Sequence, residues 1–305
     1  MPVINFSYSD LCGLMGRDLP KTVLRERLPM IGADLKAADD TSDEMSFEFF
    51  PDRPDLYSVE GIARALRAFL EYEPGLRSYA VGSSDVELRV DPSVEAVRPH
   101  IWCSLVEGCD VDDLLIRSMM DLQEKLHLTL GRNRKKVAIG LHDSSEVKPP
   151  FTYKAVRPDE VSFIPLQGDK VMDLGQILVQ HEKGRAYAYV LEGSKRYPII
   201  VDRVGEVLSF PPIINGIRTA VTESTRSIFV DCTGTDMNAV KSAVNIVTTA
   251  LAERGGKVKT VKVSGPTGIA KSPDLDPKTV DLDVDHVNKW IGTRLDASDM
   301  SKCLM

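Results

Sequence analysis

No apolar run in these 305 residues approaches the roughly eighteen needed to cross a bilayer, so no membrane-spanning helix is expected. The opening MPVINFSYSD lacks the basic and apolar segments of a secretory leader. The five cysteines (Cys12, Cys103, Cys109, Cys232 and Cys303) are odd in number and form no CxxC pair. Reduced thiols in a cytoplasmic protein are expected, neither a disulfide framework nor a zinc site. The five histidines form no HExxH or HxxxH pair, so no dedicated metal site is expected. A surplus of base is also missing. Lys and Arg number 38 against 45 Asp and Glu, and the net charge of −7 argues against a sequence-blind grip on nucleic acid. Only a local basic patch could hold one RNA end.

What is present suits packed cores: 43% of the residues are apolar and 27% charged. The first 82 residues read as a small α/β unit, with short amphipathic helices over 8–16 and 20–30. The acidic DLKAADDTSDE reads as a solvated loop and MSFEFF as a strand. A helix capped by Ser58 follows, its first turn carrying Glu60 and its core face Ile62, Leu66 and Leu70. Residues 83–264 read as a larger α+β unit, giving a mixed α/β chain. Its predicted elements are strands in VELRV, PHIWCSLVEG and KKVAIGLHD, a long helix in DVDDLLIRSMMDLQEKLHLTL, and a helix around 173–183. Strands are expected near 197–202, 205–209 and 227–233, then a helix capped by Asp236, and KVKTVKV as one more strand. SGPTGIAKSPDLDPK reads as a linker, and residues 265–305 as that linker plus the start of a further domain.

Three stretches could carry chemistry. In SFPPIINGIRTAVTESTRSIFVDCTGTD, strand alternation puts Ile228, Val230 and Cys232 on one face and Phe229, Asp231 and Thr233 on the other. Pro211 and Pro212 are expected to stiffen an extended wall beside Gly216. Asp231 either reads a ligand in a walled pocket or merely ends a strand before the next helix. In LQEKLHLTLGRNRKKVAIGLHD, Gln123 and His127 share a helix face, and Arg132, Arg134, Lys135 and Lys136 cluster past the helix end. That cluster is either a phosphate clamp or a solvated turn. His142 and Asp143 have no GxSxG serine nearby, so a nucleophile triad is not expected. In FFPDRPDL, Arg53 between two aspartates is expected to pin a chain reversal.

These stretches resemble the N-terminal half of the β subunit of phenylalanyl-tRNA synthetase in its archaeal and eukaryotic form. The likeness is carried by PDRPDLYSVEGIARALR, LQEKLHLTLGRNRKKVAIGLHD and LSFPPIINGIRTAVTESTRSIFVDCTGTD. RPH, FTYKAV and TALAERGGKVKTVKV fall in the same order. The resemblance implies a B1-like domain over 1–82, a B3/B4-like editing domain over 83–264, and the start of a B5-like domain over 265–305.

It further implies hydrolysis of mischarged Tyr-tRNA(Phe), by water attack on the aminoacyl ester. In the family a strand carboxylate meets the tyrosine hydroxyl, and the matching position is Asp231. Leu208, Ser209 and Pro212 would line the tyrosine pocket, and Asn215, Thr222 and Thr233 would position the ester and water. Gln123, His127, Thr129, Arg132 and Arg134 would hold the 3′ end of the tRNA. No cofactor is implied for editing. ATP and Mg2+ belong to charging, which the resemblance places on a partner α subunit in an α2β2 assembly. The alternative is a non-catalytic scaffold that docks tRNA or that subunit.

Overall fold

The structure is a computed structural model that describes residues 2–39 and 41–304. At the N-terminus, strand Val3–Ser7 pairs with Glu44–Phe49, which pairs in turn with Ala33–Ala38, all antiparallel. The last of these corrects the expected loop. The first part of the acidic stretch forms an edge strand, where charge is tolerated because one side faces solvent. Lys36 there bonds Glu48 across the sheet at 2.7 Å. Helices Tyr8–Met15 and Val59–Phe69 cover the sheet; the expected second helix is Lys21–Arg27, ending in a 3-10 turn. Ser58 caps Val59–Phe69 by accepting from the Gly61 N–H at 3.3 Å, and Ile62 and Leu66 are fully buried. Arg53 holds Asp55 through two bonds of 2.8 and 2.9 Å, the expected pinned reversal.

Beyond residue 83 lie three layers. The central layer is a four-stranded antiparallel sheet in the order Lys257–Lys259, His100–Glu107, Ser227–Gly234, Val137–Asp143. Helices Asp113–Leu128 and Met237–Glu253 pack on one face. A seven-stranded mixed sheet containing Phe151–Val156, Tyr197–Val201 and Val207–Phe210 packs on the other. The expected alternation holds: Ile228, Val230 and Cys232 join the helix-side core, and Phe229 the inter-sheet core. Both faces are therefore buried, and Asp231 looks into the layer between the sheets rather than outward.

Two expected segments differ. KVKTVKV is split at Thr260 into Lys257–Lys259 and Val261–Gly265, which serve different sheets. The presumed linker begins as a hairpin, because Gly268–Ser272 pairs back along Val261–Gly265. The Gly268 φ of +115° supplies the turn that only glycine takes easily. The N-terminal unit has no separate core. Ile62 and Leu66 belong to one apolar cluster with Val244, Val247 and Leu251 of helix Met237–Glu253. Arg254 adds ion pairs to Asp10 at 2.6 Å and to the fully buried Glu60 at 2.7 Å.

Candidate functional site

Asp231 lies near the middle of Ser227–Gly234, in register with Cys103 on one neighbour and Gly140 on the other. Its side chain is only 2% exposed. His142, two residues along from Gly140, presents its ring on the same face, and Nε2 lies 2.7 Å from Asp231 Oδ2. His142 Nδ1 meets Thr219 Oγ1 at 2.8 Å, and Thr219 in turn reaches the Leu208 and Gly216 carbonyls at 3.3 and 3.2 Å. The histidine thus fixes one carboxylate oxygen. The other, Oδ1, makes no hydrogen bond among the described residues and is not sealed off from open space. Gly140 makes the pairing possible. A Cβ there would fall 2.1 Å from Asp231 Oδ2 and 2.7 Å from His142 Nε2.

Asp231 forms part of the lining of a cleft of ≈ 180 Å³. An apolar cavity of about 150 Å³ takes a benzene ring, so one aromatic side chain fits this volume. The wall is Ser209, Pro211, Pro212, Ile213, Ile214 and Asn215, and Met120, Gln123 and Glu124 close it from helix Asp113–Leu128. Pro211 and Pro212 do not continue an extended run. They form the turn between Val207–Phe210 and Ile214–Asn215, joined by a cis peptide. Asn215 donates from Nδ2 to the Leu141 carbonyl at 3.1 Å, which leaves its second amide hydrogen unused. Gln123 donates to the Ile139 carbonyl at 2.6 Å, and its own oxygen has no partner among the described residues.

The expected site residues separate into two groups. Asp231, Ser209, Pro212, Asn215, Gln123 and Arg134 line the cleft. The rest are elsewhere. Leu208 is fully buried in the inter-sheet core. Thr222 is exposed and bonded to Ser224 at 2.8 Å. Thr233 accepts from Arg98 Nε at 2.8 Å, deep in the interior. His127 is buried and its Nε2 accepts from the Ile139 N–H at 2.8 Å. Burial pushes that imidazole down to about 4, despite a Glu124 carboxylate 3.6 Å away. Thr129 bonds back to the Lys125 carbonyl at 2.8 Å.

The two arginines differ from each other. Arg132 is exposed, and its side chain has no hydrogen bond or ion pair among the described residues. Arg134 is buried and braces the wall. Its Nη1 donates to the Pro212 and Ile213 carbonyls at 3.2 and 3.0 Å, and its Nη2 meets Glu124 Oε1 at 2.7 Å. Residues 132, 133 and 134 all have positive φ, between 48° and 66°, a strained turn that aims Arg134 inward. Among its backbone acceptors are residues 78 and 79 positions away, so neither sequence spacing nor charge pattern could have disclosed this brace.

Three residues that build the site were not legible in the sequence. His142 was matched with Asp143 rather than with Asp231, and Asp143 in fact accepts from Thr225 at 2.6 Å. Gly140 and Thr219 were not singled out. The GxH spacing puts Gly140 and His142 on one strand face, which was the available signal.

A strand carboxylate held by histidine, facing a proline-walled cleft in this three-layer frame, defines a class. The B3/4 domain family matches residues 110–262. The chain is 49% identical over 304 residues to the phenylalanine–tRNA ligase β subunit of Methanothrix thermoacetophila, covering 100% of this chain and 56% of that protein. It is 47% identical to that of Archaeoglobus fulgidus, covering 100% and 54%. The crystal structure of an N-terminal fragment of the phenylalanyl-tRNA synthetase β subunit from Pyrococcus horikoshii superposes with a TM-score of 0.95 at 37% identity, covering 99% of this chain and 88% of that one. The chain belongs to the phenylalanyl-tRNA synthetase β-subunit family, and it spans about half the length of the curated relatives it matches.

Proposed function

We propose that this chain is the proofreading part of its synthetase and hydrolyses the ester of tyrosine mischarged on tRNA(Phe). The observation that carries the reading is that Asp231, whose Oδ1 has no hydrogen bond among the described residues, lines a cleft sized for one aromatic ring. A pocket shaped for phenylalanine cannot strongly reject an isostere that adds a hydroxyl, so a second site must invert the preference. Here the phenol O–H would donate to Oδ1 while His142 holds Oδ2. Phenylalanine would leave that buried acceptor unpaired, at a cost of about 1–3 kcal/mol. Pro212 and Ile213 would flank the ring. The spare amide hydrogen of Asn215 would orient the ester carbonyl, and Ser209 sits beside it for the attacking water. Rate enhancement would come from orientation and fixed dipoles. Charging itself, with ATP and Mg2+, is assigned to a partner α subunit, and the exposed Arg132 to the phosphates of the tRNA 3′ end.

The test is deacylation of Tyr-tRNA(Phe) against Phe-tRNA(Phe), with wild type and Asp231→Ala. Wild type should release tyrosine preferentially and the variant should lose that preference. Equal slow release by both would leave a docking scaffold as the function.

A further inference from the structure

A cleft of ≈ 360 Å³ lies between residues 77–82 and the turn that joins helix Met237–Glu253 to strand Lys257–Lys259. Small-ligand sites span about 300–1,000 Å³. It shares no lining residue with the cleft beside Asp231. Arg77, Lys257 and Lys259 line it, and among the described residues no carboxylate does, in a chain whose net charge is −7. We propose that this cleft is a phosphate-binding site, separate in place and role from the release of tyrosine.

The fold places each cation. Side chains alternate along Lys257–Lys259, so Val258 is buried and the two lysines stand on the opposite face. A Cβ on Gly82 would come within 3.0 Å of Lys259 Cδ and 3.2 Å of its Nζ, so the glycine lets that ammonium lie against the chain. Glu73 meets Arg77 at 2.7 Å and Glu107 approaches Lys259 at 4.0 Å, both from outside the lining. Lys257 is exposed and has no hydrogen bond or ion pair among the described residues.

Lysines on an edge strand often guard it against pairing with another chain. Here the edge is already covered. The Gly82 N–H donates to the Val258 carbonyl at 2.9 Å, and the Gly82 carbonyl accepts from the Thr260 N–H at 2.8 Å. Beside that bridge, the N–H groups of Ser78, Tyr79 and Ala80 have no acceptor among the described residues. Cations together with spare N–H donors suit an anion. Three cations in one space suit a group with about two charges and three acceptor oxygens, as a phosphate has, better than a carboxylate with one charge. That phosphate comes from an RNA backbone or from a small free phosphate, and the test separates the two.

Inorganic phosphate is titrated against this chain while the amide NMR signals of Gly82 and Gly256 are followed. A tRNA(Phe) transcript is titrated by fluorescence anisotropy at several salt concentrations. The cleft variant is Lys257→Gln with Lys259→Gln. The control is Lys278→Gln with Lys289→Gln, two exposed lysines outside the cleft. The remaining amide signals report that each variant is folded. Phosphate should shift both glycine signals in wild type and control, and leave them in place in the cleft variant. An RNA source should appear as about tenfold weaker binding in the cleft variant alone, with a salt slope lower by about 1 to 2. Cleft-specific glycine shifts without cleft-specific RNA loss assign the site to a free phosphate. The proposal is overturned if neither effect is specific to the cleft variant, including the case in which the control pair weakens RNA equally and phosphate moves neither glycine.

Discussion

Replacing Gly140 by alanine adds one methyl group at the point where the site has no space. The new Cβ would stand 2.1 Å from Asp231 Oδ2 and 3.0 Å from its Cγ. Real carbon–oxygen contacts need more than about 3 Å, so the carboxylate must retreat by about 1 Å. His142 cannot follow, because Thr219 ties its far nitrogen at 2.8 Å. A 2.7 Å bond lengthened by about 1 Å is no longer a hydrogen bond. Misplacement on that scale costs about a hundredfold in rate. Gly140→Ala is therefore expected to slow tyrosine release by about ten- to a hundredfold, with overpacking costing about 1–3 kcal/mol of stability. Single-turnover deacylation and thermal melts read the two effects. The double variant Gly140→Ala with Asp231→Ala should regain part of the stability, because the second change removes the tightest clash and leaves only the 2.7 Å approach to His142 Nε2. Wild-type deacylation in Gly140→Ala, or a double variant less stable than both singles, would refute the geometry on which the site is built.

Asp231→Ala should lower the preference for tyrosine over phenylalanine by about ten- to a hundredfold, the worth of one hydrogen bond to a charged acceptor, read as the ratio of deacylation rates. Arg134→Met leaves the Pro212 and Ile213 carbonyls without their donor. It should cost about 1–3 kcal/mol in chemical denaturation and weaken tyrosinamide and RNA together. Arg132→Glu, at an exposed side chain, should weaken RNA alone and flatten its salt dependence. His127 stays neutral in the folded chain down to about pH 4, whereas the unfolded chain protonates it near its ordinary value of 6.5. In that window the unfolded state binds more protons, so stability falls as pH drops, by about 3 kcal/mol in all. His127→Gln should flatten this part of the urea-denaturation profile, and an unchanged slope would count against the assignment.

Long periodic segments were legible in the sequence. The helix expected in DVDDLLIRSMMDLQEKLHLTL is Asp113–Leu128, with Leu115, Met119, Leu122 and Leu126 buried at helical spacing. The alternation over residues 227–233 correctly separated Asp231 from the helix-side core. Part of what escaped is hairpin pairing that the turn composition masks. Ala33–Ala38 carries Asp34 and Lys36 among apolar residues and becomes a strand because Glu44–Phe49 offers an edge. The hairpin Gly268–Ser272 was hidden by its glycine, proline and serine content, which suits a turn as well as a linker. At the site, the basic pattern past the helix end pointed to phosphate contacts for Arg134, and the family resemblance implied a 3′-end contact for His127. Burial decided against solvent-facing roles. Arg134 Nη1 and His127 Nε2 are spent on backbone groups that only the folded chain brings near.

The core that the first 82 residues share with helix Met237–Glu253 bears on modular engineering. That helix backs the sheet on which Asp231 stands, and its other flank is covered by the N-terminal unit. A graft of residues 83–264 into a foreign host would carry an oily flank with nothing against it and a buried Glu60 partner, Arg254, stripped of both its acids. The cleft beside Asp231 is thus not a portable cassette. The leading segment travels with it as ballast that keeps its supporting helix in place.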